Sequence, residues 1–249
     1  MKGIFYGVGV GPGDPELLTL KAIRIMKECD MIAIALSGVE ITEPKVVQQL
    51  DQAAYEAVLK RCVAYQIVLA AVPELGEKEL LLLPMPMVKD KQQLKKIHEE
   101  DSQKVMEILE TGKSIAFITL GDPTVYSTVL YVHKRVRAKQ YKTSLVPGIP
   151  SFCAAAARLD MGLVENREEL HVIPASYDIA DSLKMPGTKV LMKAGSKIKE
   201  VKQTLKEQGC QVELVENCGM EQERIYRHVD EIPETAGYYS LMIVKETAR

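Results

Sequence analysis

Residues 4–36 read IFYGVGVGPGDPELLTLKAIRIMKECDMIAIAL, and this stretch decides the fold class. Residues 4–10 form an apolar run that predicts a short buried strand, and it ends in Gly7, Gly9, Gly11 and Gly13. Glycine at every second position permits a tight turn and a close approach by a ligand. Asp14, Pro15 and Glu16 then supply an N-cap, a proline in the first turn and an early acid. They predict a helix running to about Glu28, with Leu17, Leu18, Leu20, Ile23 and Ile25 crowding it. The apolar run 31–36 reads as a second strand. Strand, glycine turn, helix and strand in that order predict a parallel sheet in an α/β protein. The glycine run itself is either a structural corner or a ligand loop. It is not the dinucleotide fingerprint, which needs G-x-x-G in its second half, and no Gly-Lys-Ser/Thr makes it a P-loop.

The pattern continues outward from there. Residues 42–61 look helical, with Pro44 near the start; residues 62–72 and 79–83 are apolar runs that periodicity alone does not assign to helix or strand. Residues 90–110 form a strongly charged amphipathic helix with Leu94, Ile97, Val105, Ile108 and Leu109 as its buried stripe. A strand at 114–120, a helix at 125–138, a strand at 143–146 and a helix opening at 152–158 follow. Beyond Gly162, strands are expected at 171–174, 190–193, 211–215 and 239–244. A helix at 198–208, closed by Gly209, separates the middle pair. Residues 217–230 read as a polar loop plus a ladder strand. A boundary near 140–150 divides the chain into domains 1–145 and 146–249.

The 249 residues suffice for a sizeable core, with 47% hydrophobic and 27% charged residues. The net charge of −2 disfavours general nucleic-acid binding. With no Trp and three Phe against eleven Met, base-stacking platforms are not expected. The five cysteines and four histidines are dispersed, with no C-x-x-C pair, so neither a disulfide framework nor a metal centre is expected. No apolar run approaches ~18 residues, the length a membrane span needs, and glycines interrupt any signal-peptide core. The expectation is a soluble cytoplasmic protein.

Four short stretches carry the chemistry: the glycine run at 7–15; Gly121-Asp122-Pro123 at a strand's C-terminal edge, where open α/β sheets bind ligands; Pro147-Gly148-Ile149-Pro150-Ser151-Phe152; and Lys193 in an apolar run, pointing either to solvent or into a cleft. In this order they resemble the tetrapyrrole methylase family, the S-adenosylmethionine-dependent enzymes that methylate the macrocycle in vitamin B12 and sirohaem synthesis. The resemblance covers essentially the whole chain. G-V-G-P-G-D-P-E-L-L-T-L-K-A (9–22), G-D-P-T-V-Y-S-T (121–128), V-P-G-I-P-S-F-C-A-A-A-A (146–157), V-L-M-K (190–193) and Y-Y-S-L-M-I-V (238–244) look like the branch that methylates C20 of precorrin-2 or its cobalt-bearing counterpart. P-M-V-K-D (86–90) and E-N-C-G-M-E (216–221) are similar to the same branch.

The resemblance implies a homodimer of two αβα domains with an active-site trough between them, S-adenosylmethionine as methyl donor and S-adenosylhomocysteine as product. Carried over by motif, the cofactor-binding residues are Pro12, Leu120, Gly121, Asp122, Val125, Pro150, Ser151, Phe152, Ala194, Cys218, Gly219 and Ser240. Lys193 and Tyr238 are expected to bind the macrocycle, with Arg224 and Arg227 as weaker candidates. Asp122 is the first candidate for a base, or else fixes its loop by hydrogen bonds; Tyr126 and Tyr238 stand in reserve. The stretch 37–83 departs from the branch pattern, and no metal-ligand cluster separates a cobalt-bearing from a metal-free substrate. Methylation at another position of a B12-pathway tetrapyrrole is the nearest alternative. A dinucleotide-dependent oxidoreductase would need an acid at the end of the second strand, where Glu40 is the nearest. A non-catalytic tetrapyrrole carrier would not need the cofactor loops.

Overall fold

The structure, a computed structural model, describes residues 1–38, 41–86, 88, 90–175 and 179–245. Glu40, Met87 and Lys89, named in the sequence motifs, lie outside the described residues. The chain divides into two compact units, Met1–Pro150 and Ser151–Arg249.

The first unit holds strands β1 (Phe5–Gly9), β2 (Met31–Leu36), β3 (Lys45–Val47), β4 (Glu79–Pro84), β5 (Ile115–Thr119) and β6 (Thr143–Val146). Its helices are α1 (Leu20–Glu28), α2 (Glu56–Leu59), α3 (Val63–Ala71), α4 (Lys91–Glu110) and α5 (Val129–Ala138). The sheet order is β3-β4-β2-β5-β1-β6, parallel throughout except for the edge strand β3. Strand alternation sorts side chains to two faces. Val8, Ile32, Ile34, Leu80, Leu82, Ala116 and Ile118 pack with α1 and α3 on one face. Phe5, Met31, Ala33, Leu81, Leu83, Ile115 and Phe117 meet α4 and α5 on the other.

The connections explain which helix goes where. From β1 the chain steps to β2 and then β4 in one direction along the sheet; from β4 it returns through β5 to β6 in the other. Right-handed crossovers therefore place α1 and α3 on one face and α4 and α5 on the opposite one. The direction switches between β1 and β5, which are neighbours.

The second unit has strands β7 (Leu170–Pro174), β8 (Thr188–Met192), β9 (Gln211–Glu216), β10 (Arg224–Tyr226) and β11 (Ser240–Lys245) in the order β10-β9-β11-β8-β7. Here only β7 and β8 run parallel. Helix α6 (Ser151–Arg158) packs through Ala155 and Ala156 on Val190, Val215, Leu241 and Ile243. On the other face α7 (Ala180–Leu183) and α8 (Ile198–Glu207) pack on Leu191, Leu214 and Met242. Gly209 ends α8 at φ +64°, with its N–H donating to Lys206 O at 3.0 Å.

Several expected elements change on folding. Residues 42–61 are not one helix: β3 comes first, then a 3₁₀ stretch Gln49–Tyr55 and the single turn α2. Pro44 biases the preceding residue away from helix, and the β-branched Val46 and Val47 pair with Leu81 and Leu80. The helix expected from Asp14 is interrupted. Asp14 caps only the 3₁₀ turn Pro15–Leu17, Leu18 is extended, and Thr19 caps α1 by accepting from Ala22 N at 3.1 Å. Leu20 is consequently 87% exposed. Helix α5 begins at Val129 rather than 125, because residues 124–128 form a turn. On α4, Leu94 and Ile97 are only half-buried, whereas His98, Asp101 and Ser102 are buried. The Asp101 carboxylate is fully buried, and among the described residues neither of its oxygens has a hydrogen-bond partner. Burial pushes its pKa up to about 8.

Candidate active site

The carboxyl ends of β1, β5 and β6 adjoin, and β1 and β5 are the switch point at which open α/β sheets bind ligands. Three glycines let those ends touch. A Cβ on Gly9 would lie 2.5 Å from Gly121 O and 2.7 Å from Gly148 N, and a Cβ on Gly148 would strike the same Gly121 oxygen. Gly121 N donates to Gly11 O at 2.8 Å, and both glycines have positive φ, +66° and +78°. The glycine run is thus a backbone junction, with Pro12 buried beside it.

Asp122 ties the junction together. Its Oδ1 accepts from Thr124 N at 2.8 Å and from the Thr124 hydroxyl, while Oδ2 accepts from Gly148 N at 3.1 Å. Both carboxylate oxygens are engaged, and the residue is only 9% exposed. Asp122 therefore fixes its own turn and holds the residue 147–150 turn against it. Pro123 is buried, Val125 is half-buried, and Val125 N donates to Asp122 O at 3.2 Å. Next to it Tyr126 adopts φ +48°, outside any helix C-terminus, and is 45% exposed. Left-handed backbone at such a residue is costly and collects at functional sites. Ser127 accepts from Val129 N at 3.2 Å and donates to Thr119 Oγ1 at 3.0 Å, anchoring the start of α5.

In the second unit the remaining candidates gather at one end of the sheet. Met192 pairs with Leu241, and Glu216 pairs with Ser240, so the ends of β8 and β9 flank the start of β11. Lys193 lies one residue beyond β8 rather than within a strand, at φ +60°. Its ammonium is half-buried, and burial pulls its pKa below the usual lysine value. Ala194 follows, 3% exposed. Cys218 and Gly219 form the turn after β9, between Asn217 at φ +52° and Gly219 at φ +75°. Asn217 N donates to Tyr239 O at 3.0 Å, joining that turn to the residue 237–240 segment. There Ser240 is buried and donates to Gly237 O at 2.8 Å. Gly237 N in turn donates to Glu216 Oε1 at 2.6 Å. The Tyr238 ring stands edge-on to Tyr239 at 5.4 Å, and burial raises its hydroxyl pKa. Ser151 opens α6, and Phe152 packs against the core beneath that helix. Arg227 is engaged with Glu213 at 3.0 Å, and Arg224 is exposed at the start of β10.

The sequence reading missed Gly9 and Gly148 as contact points, and Thr124, Ser127 and Glu216 as braces. Asp-Pro-Thr and the Ser127–Val129 spacing are local turn signals, but a contact 26 residues away, as between Asp122 and Gly148, has no local signature.

The model of the Tetrapyrrole (Corrin/Porphyrin) Methylases matches residues 5–232. The chain belongs to this family. It is 34% identical over 98% of its length, and 96% of the relative's, to a Methanocaldococcus jannaschii protein named probable cobalt-precorrin-2 C(20)-methyltransferase. The cobalt-precorrin-2 C(20)-methyltransferase of Salmonella typhimurium is 28% identical over 99% of this chain and 98% of its own. The fold is that of a Thermus thermophilus uroporphyrin-III C-methyltransferase crystallised with S-adenosylhomocysteine, with a TM-score of 0.66, 20% identity and 98% of each chain covered. The dinucleotide-dependent oxidoreductase considered above is thereby set aside. Among the described residues no helix is long and apolar enough to cross a membrane.

The residues present fit a sulfonium cofactor. Pro12, Leu120, Gly121, Asp122, Val125 and Pro150 contain one carboxylate and no cation, so nothing among them repels a positive sulfur.

Proposed function

We propose that this protein is an S-adenosylmethionine-dependent methyltransferase acting on C20 of precorrin-2 in its cobalt-bearing form, within B12 synthesis. The observation that carries this reading is the 34% identity, end to end, to a relative of that name. When bound, S-adenosylmethionine supplies an electrophilic methyl group and releases S-adenosylhomocysteine.

The chain's own task is mostly positioning, which contributes roughly 7–11 kcal/mol when reacting atoms are held in line. C20 is an electron-rich bridging carbon and needs no protein nucleophile. In this reading Pro12, Leu120, Gly121, Val125, Pro150, Ser151, Phe152, Ala194, Cys218, Gly219 and Ser240 hold the cofactor. Asp122 acts as the tether that keeps the first three loops in register; with both oxygens already accepting, it is poorly placed to take a proton. Tyr126 and Tyr238 are the hydroxyls left to guide the proton that leaves the macrocycle. Tyr238, a neutral phenol at physiological pH, serves as a hydrogen-bond donor to the ring rather than as a base. Lys193 faces the macrocycle's carboxylates, where a bound anion offsets the desolvation of its ammonium. A cytoplasmic homodimer belongs to the same reading, and light scattering at twice the chain mass is its expected result.

The test offers purified protein S-adenosylmethionine with cobalt-bearing or metal-free precorrin-2 under anaerobic conditions. A gain of one methyl in the macrocycle's mass, placed at C20 by NMR, is the expected product. A methyl found at another carbon would move the specificity and leave the family unchanged.

A further inference from the structure

The turn that carries Cys218 and Gly219 is held by a side chain that none of the motifs singles out. Glu223, in the same β9–β10 connection, is 14% exposed at its side chain although it sits in a loop. Its Oε2 accepts from Gly219 N at 2.8 Å, and its Oε1 accepts from Arg158 Nε on the last residue of α6. A second bond closes the loop from the other side, where Asn217 Nδ2 donates to Gln222 O at 3.3 Å. Two residues of the turn, Asn217 and Gly219, occupy left-handed backbone, a conformation that persists only where surroundings enforce it. A carboxylate accepting a backbone N–H is a charge-assisted bond, about twice as strong as a neutral one. The Arg158 pair adds less, because its guanidinium side chain is 60% exposed.

We propose that Glu223 is the positioning residue that sets the Cys218–Gly219 turn for the cofactor, a proposal that rests on the S-adenosylmethionine reading above. It acts through Gly219, whose N–H is committed to the carboxylate. The turn therefore meets its ligand with the Cys218 side chain and with carbonyls rather than with that N–H. Through the bond from Asn217 N to Tyr239 O, the same latch fixes the turn against the segment that carries Tyr238 and Ser240.

The experiment measures S-adenosylmethionine affinity by calorimetry, Michaelis constants for both substrates, and hydrogen exchange of the peptide 217–223, in wild type, Glu223→Ala, Glu223→Gln and Arg158→Ala. Loss of a charged hydrogen bond predicts about tenfold weaker S-adenosylmethionine binding in Glu223→Ala. Faster exchange of residues 217–223 and a macrocycle KM within about twofold of wild type accompany it. Glu223→Gln, which retains an acceptor for Gly219 N, restores most of the affinity, and Arg158→Ala loses less than Glu223→Ala. Wild-type cofactor affinity in Glu223→Ala overturns the proposal alone. So does an equal rise in both Michaelis constants, the mark of a general loss of structure. A wild-type protein that binds no S-adenosylmethionine overturns the cofactor reading itself, and the proposal with it.

Discussion

At the scale of single residues, the candidate site is built by side chains that serve backbone. Asp122 spends its carboxylate on Thr124 and on Gly148 N, two loops of the junction at once. Asp122→Ala leaves the Gly148 N–H without its acceptor, a cost of about 1–3 kcal/mol for a buried group. We expect a large fall in turnover together with weaker S-adenosylmethionine binding; turnover near wild type would remove Asp122 from any role in the reaction. Lys193→Ala acts differently. It should raise the macrocycle KM about tenfold, the value of a charged hydrogen bond, and leave S-adenosylmethionine affinity nearly unchanged. An unchanged macrocycle KM would take Lys193 out of the site. The motifs made Asp122 and Lys193 visible in the sequence. Glu223 was in none of them, and Glu216 stood in a motif without a role, because their partners are backbone N–H groups, Gly219 and Gly237, that a sequence pattern does not reveal.

At the scale of elements, most strands and long helices follow from apolar periodicity, and the exceptions have local causes. Residues 62–72 and 79–83 were undecided because both are nearly all apolar; α3 is buried against one face of the sheet and β4 lies inside it, so neither shows a polar face. Helix α4 departs in another way, by turning Asp101 into the core. His98, stacked on Tyr131 of α5 at 4.4 Å, and Ser102 are its buried neighbours on the same helix. An unfolded carboxyl ionises near ~3.9, whereas the folded one stays protonated until about 8. The stabilising difference is complete below pH ~4 and is lost as pH rises toward 8, since only the unfolded state releases its proton over that window. Asp101→Asn removes that slope. Denaturant titrations from pH 4 to 8 should show a steeper decline in wild type, and the variant should be more stable at pH 8 by about 1–3 kcal/mol. Parallel pH profiles would mean that the carboxyl finds a partner.

At the scale of the whole molecule, the first thirty-odd residues already dictate a parallel sheet, and the crossover rule turns strand order into helix placement. What the opening stretch does not contain is the second sheet, whose β11 lies antiparallel between β8 and β9, a topology that short polar-flanked runs do not specify. Family membership draws on both units together, because the matched region spans residues 5–232. Within the divergent stretch 37–83, β3 and β4 lie at the edge of the first sheet remote from β1 and β6, whereas α3 packs over the sheet face against the turn at residues 15–17. Shortening the β3–α2 segment should accordingly leave S-adenosylmethionine affinity within about twofold, as expected for a site that does not touch it; calorimetry on the shortened variant checks this.

The central claim is methyl transfer from S-adenosylmethionine to C20 of a precorrin-2 macrocycle. It is tested most directly by anaerobic turnover with the two forms of the macrocycle, read by product mass and then NMR. The account predicts one added methyl, at C20, with the cobalt-bearing substrate preferred. Tight S-adenosylmethionine binding with no mass gain on either macrocycle would contradict it.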